Sequence, residues 1–146
     1  MFRGSAPARV DDKGRLKVPS VFKSLLESKY GRELYITSLT GEYVRIYPMP
    51  VWLDLEQKLA ALPSTNPSKQ RFLDRVNYYG QTVELDSQDR VLIPIRLRES
   101  ATMTGDVDVL GQITYLDVWN HDRFLLKLQR EPFTDDDARA LSGFGI

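Results

Sequence analysis

The stretch VDDKGRLKVP, residues 10–19, returns in related form as LDSQDRVLIP, residues 85–94. Each copy has an aspartate, an arginine four residues later and a proline four residues after that: Asp11, Arg15 and Pro19, then Asp86, Arg90 and Pro94. With residue usages of roughly 5% each, a given three-residue match falls at about one position in several thousand. Two matches in a chain of 146 residues therefore indicate an internal repeat.

The similarity extends well beyond the motif. SVFK follows the first proline and IRLR the second, and VRIYP at 44–48 corresponds to LDVWN at 116–120. The copies lie 75 residues apart at the motif and about 72 apart at the later strands, so they differ only by small insertions. One unit of this size is too small to bury its apolar faces alone. We therefore expect an α+β fold in which two units pack as an internal pseudo-dimer, a mixed β-barrel with peripheral helices.

The order of elements in one unit follows from its turn signals and its periodicity. A strand ending at Val10 is followed by a tight turn, DDKG, in which Gly14 suits a positive φ. Residues 15–18 alternate like a half-buried strand, and Pro19 suits the start of a helix. Further along, we expect a helix at 20–30, a hairpin at 33–37 and 43–47, and helices at 50–62 and 67–79.

These signals divide the chain into four parts. Residues 1–62 form the first repeat, 63–79 a linker with its helix, 80–131 the second repeat and 132–146 an acidic tail. We expect the tail to be frayed, since chain ends with few apolar side chains are poorly held.

The charge of the chain is unevenly distributed. Twenty basic and twenty acidic residues give a net charge of zero, which by itself disfavours nucleic-acid binding. Residues 1–23, however, carry six basic side chains against two acidic ones, whereas residues 131–146 carry four acidic side chains against one basic. A local basic patch attracts phosphate even when the total charge is zero.

Several classes of function find no support in the sequence. The absence of cysteine excludes disulfides, a thiolate nucleophile and a zinc-thiolate site. His121 is the only histidine, so we expect no metal or other cofactor, and Asp135–Asp137 are interpreted as a solvated acidic segment. Neither a catalytic triad nor a glycine-rich phosphate loop is present, so we expect no enzyme. No apolar run suits a membrane span or a signal peptide, which predicts a cytoplasmic protein.

At this point the residues resemble a known family, the MraZ proteins of the SpoVT/AbrB-like swapped-hairpin group. The resemblance covers residues 1 to about 130, and the doubled motif D-x-x-x-R-x-x-x-P is its most specific part. Shorter matches are MFRG at the start, IYP at 46–48 with Trp52, NP at 66–67, VLG at 109–111 and VW at 118–119.

The resemblance implies a swapped-hairpin barrel and a transcriptional regulator encoded with the division and cell-wall genes. Such proteins are nucleoid-associated, form ring-like homo-oligomers and bind short direct repeats upstream of their own operon. The family pattern assigns DNA contact to Arg3, Lys13 and Arg15, and we add Arg9 and Lys17 from local charge. Two positions depart from the pattern: Asp89 replaces the usual glycine of the second motif, and Val51 a usual glutamate.

The first hairpin is the strongest functional candidate. Lys13 lies in its turn, and Arg15 and Lys17 alternate onto one face of the next strand, where they can neutralise phosphates or read guanine in the major groove of double-stranded DNA. A purely structural interpretation competes with this one, because Asp11 and Arg15 can pair to hold the turn, as can Asp86 and Arg90. Two alternative functions stay open: an antitoxin-like protein of the same fold, and an oligomeric scaffold that does not bind DNA.

Overall fold

The two repeated motifs form two similar β-hairpins in the computed structural model, which describes all residues from 1 to 146. In the first turn, the Asp11 amide donates to the Arg15 carbonyl at 3.0 Å and Gly14 takes a φ of +79°. In the second, the Asp86 amide donates to the Arg90 carbonyl at 2.9 Å and Asp89 takes a φ of +61°. Aspartate tolerates this left-handed region better than most residues, so the second hairpin keeps the geometry of the first.

The fold has eight strands and six helices, and the β-β-α-β-β-α order of the first repeat returns in the second. The strands are β1 (Ser5–Val10), β2 (Arg15–Lys17), β3 (Glu33–Thr37), β4 (Val44–Pro48), β5 (Gln81–Glu84), β6 (Arg90–Leu92), β7 (Gly105–Gly111) and β8 (Leu116–Asn120). The helices are α1 (Ser20–Leu25), α2 (Met49–Ala60), α3 (Pro67–Tyr78), α4 (Ile95–Ser100), α5 (His121–Arg130) and α6 (Asp135–Ser142). None of these helices is long and apolar enough to cross a membrane.

The strands join into one sheet in the order β5-β3-β4-β8-β7-β1-β2-β6. Every pairing is antiparallel, so the barrel is not the mixed one expected from the sequence. The hairpins are exchanged between the units, because β1 pairs with β7 of the second unit and β5 with β3 of the first. The two edge strands, β5 and β6, are joined by a turn and contact each other, which nearly closes the sheet into a barrel. If each strand of the first unit is exchanged with its equivalent in the second, the order of strands around the barrel stays the same. The predicted α+β swapped-hairpin pseudo-dimer is confirmed.

The barrel interior holds the main apolar core, a cluster of 20 buried side chains. Leu16 of β2 and Val91 of β6 are partners in register and are 0% and 1% exposed. Their neighbours along each strand must therefore point outward, since side chains alternate between the faces of a sheet. A smaller cluster of Tyr47, Trp52 and Val76 anchors α2 and α3 outside the barrel.

Three local predictions need correction. The helix expected at 20–30 is α-helical only to Leu25 and continues as a π-helical turn, Leu26–Tyr30, that stops at Gly31 with a φ of +95°. The helix expected at 50–62 ends at Ala60, which leaves Leu62 exposed. The tail expected to be frayed contains α6, where Thr134 and Asp137 form a reciprocal capping box. Three aspartates in its first turn also favour a helix, because they complement the helix dipole.

Candidate nucleic-acid interface

The outer face of the β2–β6 pair carries cations from both hairpins. Lys17 of β2 lies directly opposite Arg90 of β6, and Arg15 lies opposite Leu92. Lys17 is exposed, Arg15 and Arg90 are half-buried, and Leu92 is 46% exposed. The pairing of the two hairpins therefore adds a cation from the second repeat to the basic strand of the first.

Four cations line one open cleft of about 450 Å³ on this face. Arg9 at the end of β1 joins Arg15, Lys17 and Arg90 there, with Asp11 and Asp12 at the turn. We call Arg9, Arg15, Lys17 and Arg90 the basic cleft. The structure thus brings together three of the five residues for which the sequence predicts DNA contact.

The pairing of Asp11 with Arg15 holds the turn and leaves part of the arginine free. Asp11 Oδ1 accepts from the amides of Lys13 at 3.0 Å and Arg15 at 2.9 Å, while Oδ2 accepts from Arg15 Nε at 2.8 Å. These hydrogen bonds hold the pKa of Asp11 below its usual value, and the bond from the Arg15 amide has the largest effect. Because only Nε is engaged, the terminal nitrogens of Arg15 remain available to a ligand. Asp11 and Arg15 thus pair across the turn, and this pairing is compatible with binding by the free nitrogens.

The second turn repeats this geometry around Arg90. Asp86 Oδ1 accepts from the amides of Gln88 at 2.8 Å and Arg90 at 2.9 Å, and Oδ2 accepts from Arg90 Nε at 3.0 Å. From the sequence, a structural role for Arg90 and a role in binding both stay open. The position of its side chain in the basic cleft depends on the register between the hairpins, and the only sequence signal for that position is the repeat itself.

The other predicted contact residues occupy different surroundings. Arg9 pairs with Asp106 across β1 and β7 at 3.0 Å, and both side chains are more than 70% exposed, so this surface pair is readily exchanged for another partner. Lys13 is exposed in the turn and forms no ion pair. Arg3 precedes β1, whose six residues span about 20 Å, so it lies far from Lys13 within one chain.

The two turns differ in charge. At the first, a Cβ on Gly14 would lie 2.0 Å from Arg98 Nε, so only glycine leaves room for that side chain. At the second, Asp89 binds Lys23 at 2.9 Å and Arg32 at 3.3 Å. Lys23 and Arg98 are equivalent residues of the two repeats, since each follows its motif proline by four positions. The aspartate that departs from the family pattern is therefore neutralised locally.

The two halves of the outer face have opposite character. Beside the basic cleft, the pair in register across β1 and β7 is Arg9 with Asp106, of opposite charge. The equivalent pair across β5 and β3 is Glu84 with Glu33, two exposed carboxylates. The face is thus cationic on the side of β1 and β2 and anionic on the side of β5.

Comparisons with known proteins agree with this architecture. The family model described as MraZ protein, antitoxin-like, matches residues 1–75 and 80–144. The chain is 53% identical to the transcriptional regulator MraZ of Acidobacterium capsulatum and 50% identical to that of Koribacter versatilis, with both proteins of each pair covered completely. It is 35% identical to the protein of that name from Chromobacterium violaceum, over 85% of this chain and 84% of the relative. The doubled motif, the exchanged hairpins and these matches show that the chain belongs to the MraZ family.

Proposed function

We propose that the protein is a transcriptional regulator that binds double-stranded DNA through the basic cleft. The observation that carries this proposal is the placement of Lys17 opposite Arg90, with Arg15 and Arg9 beside them, on an exposed face of two paired strands. The full-length relatives named as transcriptional regulators support the same function. Catalysis has no part in it.

The chemistry of binding follows from the groups that the turn leaves free. Lys13 at the tip and Lys17 on the strand neutralise phosphates as point charges. The terminal nitrogens of Arg15, oriented by the bond from Nε to Asp11 at 2.8 Å, donate to phosphate or to the major-groove edge of guanine. A two-stranded ribbon of the width of this hairpin fits that groove. Arg3 does not line the basic cleft, so its contact with DNA is proposed from the family pattern alone.

Assembly compensates for the small number of contacts in one copy. We infer that copies form a ring that presents the first hairpin repeatedly to repeated sites, so that the later contacts benefit from a high effective concentration. We propose that those sites lie upstream of the protein's own division and cell-wall gene cluster, as the family resemblance implies. The protein then acts in the cytoplasm, on the nucleoid, with each repeat (1–62 and 80–131) supplying one half of the barrel.

Fluorescence anisotropy with DNA from upstream of the gene, at several salt concentrations, tests this function. Lys17→Ala is the sharpest variant, since Lys17 forms no ion pair within the chain, and Arg15→Ala is the second. The exposed Arg71 of α3, changed to alanine, is the matched control. We expect tight, salt-sensitive binding by the wild type and the control, and weaker binding by the two cleft variants. Negligible binding by all four proteins with intact oligomers would instead favour the scaffold.

A further inference from the structure

A second groove lies along α5, on the opposite side of β7 from the basic cleft. It has a volume of about 330 Å³ and is lined by Trp119 and Leu126, by three cations and by two carboxylates: Arg123, Lys127, Arg130, Glu42 and Glu131. Trp119 is 8% exposed, and Lys127 Nζ lies 5.4 Å from the centre of its ring. Arg130 has no ion-pair partner in the chain. Lys127 is paired with Glu131 at 2.7 Å, so Arg123 and Arg130 are the cations of the groove without a carboxylate partner. Together with Trp119 they suit an acidic segment that also carries apolar side chains.

Helix α5 is amphipathic, and its leucines are exposed. None of its residues is fully buried, and Leu125, Leu126 and Leu128 are 46%, 46% and 56% exposed. Leu126 lies on the groove side of the helix, whereas Leu125 and Leu128, three positions apart, lie together on another side. Leu126 therefore extends the apolar surface that Trp119 offers in the groove.

Helix α6 has the properties that the groove requires of a ligand. Its first turn carries Asp135, Asp136 and Asp137, and the flanking Phe133 and Phe144 are 71% and 80% exposed. The helix has only eight residues, none is buried, and its side-chain hydrogen bonds all lie within residues 134–142. Isolated helices shorter than about 12 residues are marginal in water, so α6 needs a surface to pack against.

We propose that α6 of one copy docks into the α5 groove of a second copy. The acidic first turn of α6, led by Asp135, faces Arg123 and Arg130, and the apolar side chains of the tail cover Trp119 and Leu126. Because each chain carries both a groove and a helix, the contact is head-to-tail and repeats from copy to copy, which builds a closed ring. The inference rests on the proposed ring assembly and names the surfaces that make it. The basic cleft stays free for DNA.

The natural absence of cysteine permits a direct test in the full-length protein. One sample carries Gln129→Cys on α5 and the other carries Ala140→Cys on α6, both at exposed positions. The two proteins are mixed, allowed to exchange subunits and treated with a short bismaleimide. We expect a covalent dimer of the two different chains. Replacing Gln129→Cys with Ser64→Cys, in the exposed linker, gives the matched control, for which we expect little dimer.

Charge reversal tests whether the groove is what brings the two cross-linked chains together. Lys127→Glu with Arg130→Glu in the α5 sample should remove most of the cross-linked dimer, and Asp135→Lys with Asp136→Lys in the α6 sample should restore it. The proposal is overturned by absence of the mixed dimer, by equal cross-linking to Ser64→Cys, or by indifference to the reversals. It is also overturned if a chain with both cysteines cross-links only to itself. Arg15→Ala, which should lose DNA binding yet cross-link normally, separates failure here from failure of the proposed function.

Discussion

Arg45 of β4 and Asp117 of β8 face each other at the point where the two repeats meet, and they are equivalent positions of those repeats. Arg45 Nε lies 2.8 Å from Asp117 Oδ1, and Arg45 Nη2 lies 3.2 Å from Oδ2. In a dimer of two identical units, a residue on this axis would face its own copy, and its charge would be repelled. Joining the units in one chain allows one position to be basic and the other acidic, which favours pairing between the repeats of the same chain.

The first prediction is that breaking this pair destabilises the barrel. Burial disfavours the charge on Arg45, but its hydrogen bonds and attraction to Asp117 prevail and raise the pKa of Arg45. Asp117→Asn leaves that cation without its counter-charge in a largely buried site, so we expect the free energy of unfolding to fall by about 3 kcal/mol. Urea unfolding followed by tryptophan fluorescence measures the loss.

The apolar double variant Arg45→Met with Asp117→Leu is the control, because it removes both charges together. Replacing a buried pair with apolar residues of similar volume is often neutral. We therefore expect the double variant to be more stable than Asp117→Asn alone. Equal stability of Asp117→Asn and the wild type would contradict the assigned role.

The second prediction concerns Arg90, which belongs to the second repeat but lies in the basic cleft. Arg90→Ala should weaken DNA binding and lower the slope of log affinity against log salt concentration by about one, as expected for one lost phosphate contact. Arg90→Lys keeps the charge but loses the bond from Nε to Asp86, so it should retain most of that slope. If Arg90→Ala binds like the wild type at every salt concentration, Arg90 serves the turn alone.

The third prediction is a gain of binding at Leu92. Leu92 is the equivalent of Lys17 in the second repeat, lies opposite Arg15 and is 46% exposed. Leu92→Lys should therefore add a cation beside the cleft, strengthen DNA binding and increase the salt slope by about one. Because the expected result is stronger binding, a variant that fails to fold cannot be mistaken for a success. Leu92→Gln, which is polar without charge, is the control and should leave the slope unchanged.

The sequence predicted the barrel because the repeat imposes it: two copies of a unit too small to fold alone must share a core. The same reasoning placed Gly14 and Asp89 in the left-handed region. It could not predict which residues lie opposite one another between the hairpins, since register depends on contacts between segments about 75 residues apart. The sequence therefore left open whether Arg90 serves the turn alone or also binds DNA. Helix α6 was missed because a capping box offsets its lack of burial.

The fourth prediction separates two reasons why a side chain at position 14 would lower the free energy of unfolding. A side chain there meets both an unfavourable φ of +79° and the Arg98 guanidinium, 2.0 Å from the added Cβ. Gly4 has the same φ with nothing within 4 Å, so Gly4→Ala measures the backbone cost alone, about 1 kcal/mol. Thermal or urea unfolding should show a clearly larger loss for Gly14→Ala. Combining Gly14→Ala with Arg98→Ala should bring the loss down towards that of Gly4→Ala, and an unchanged loss would mean that Arg98 is not the obstacle.

The fifth prediction follows from the ion pair at the start of α5. His121 Nδ1 lies 2.7 Å from Asp108 Oδ2, and that hydrogen bond, with the negative charge of Asp108, raises the pKa of His121. Asp106 and Asp122 act in the same direction. Since the folded-state pKa exceeds the unfolded value of about 6.5, the pair stabilises the fold fully below that pH. The contribution disappears as the pH rises through the folded-state pKa, so α5 should be held more weakly in mildly alkaline solution.

A proton NMR titration reads this directly, because His121 is the only histidine and gives a single set of ring signals. The midpoint should lie above about 6.5 in the wild type and move down in Asp108→Asn, which keeps the shape of the side chain but removes its charge. Asp136→Asn, which changes a carboxylate of α6, is the control and should leave the midpoint in place. A wild-type midpoint at or below the ordinary value would show that Asp108 does not hold the imidazolium, and the expected pH dependence of α5 would then be absent.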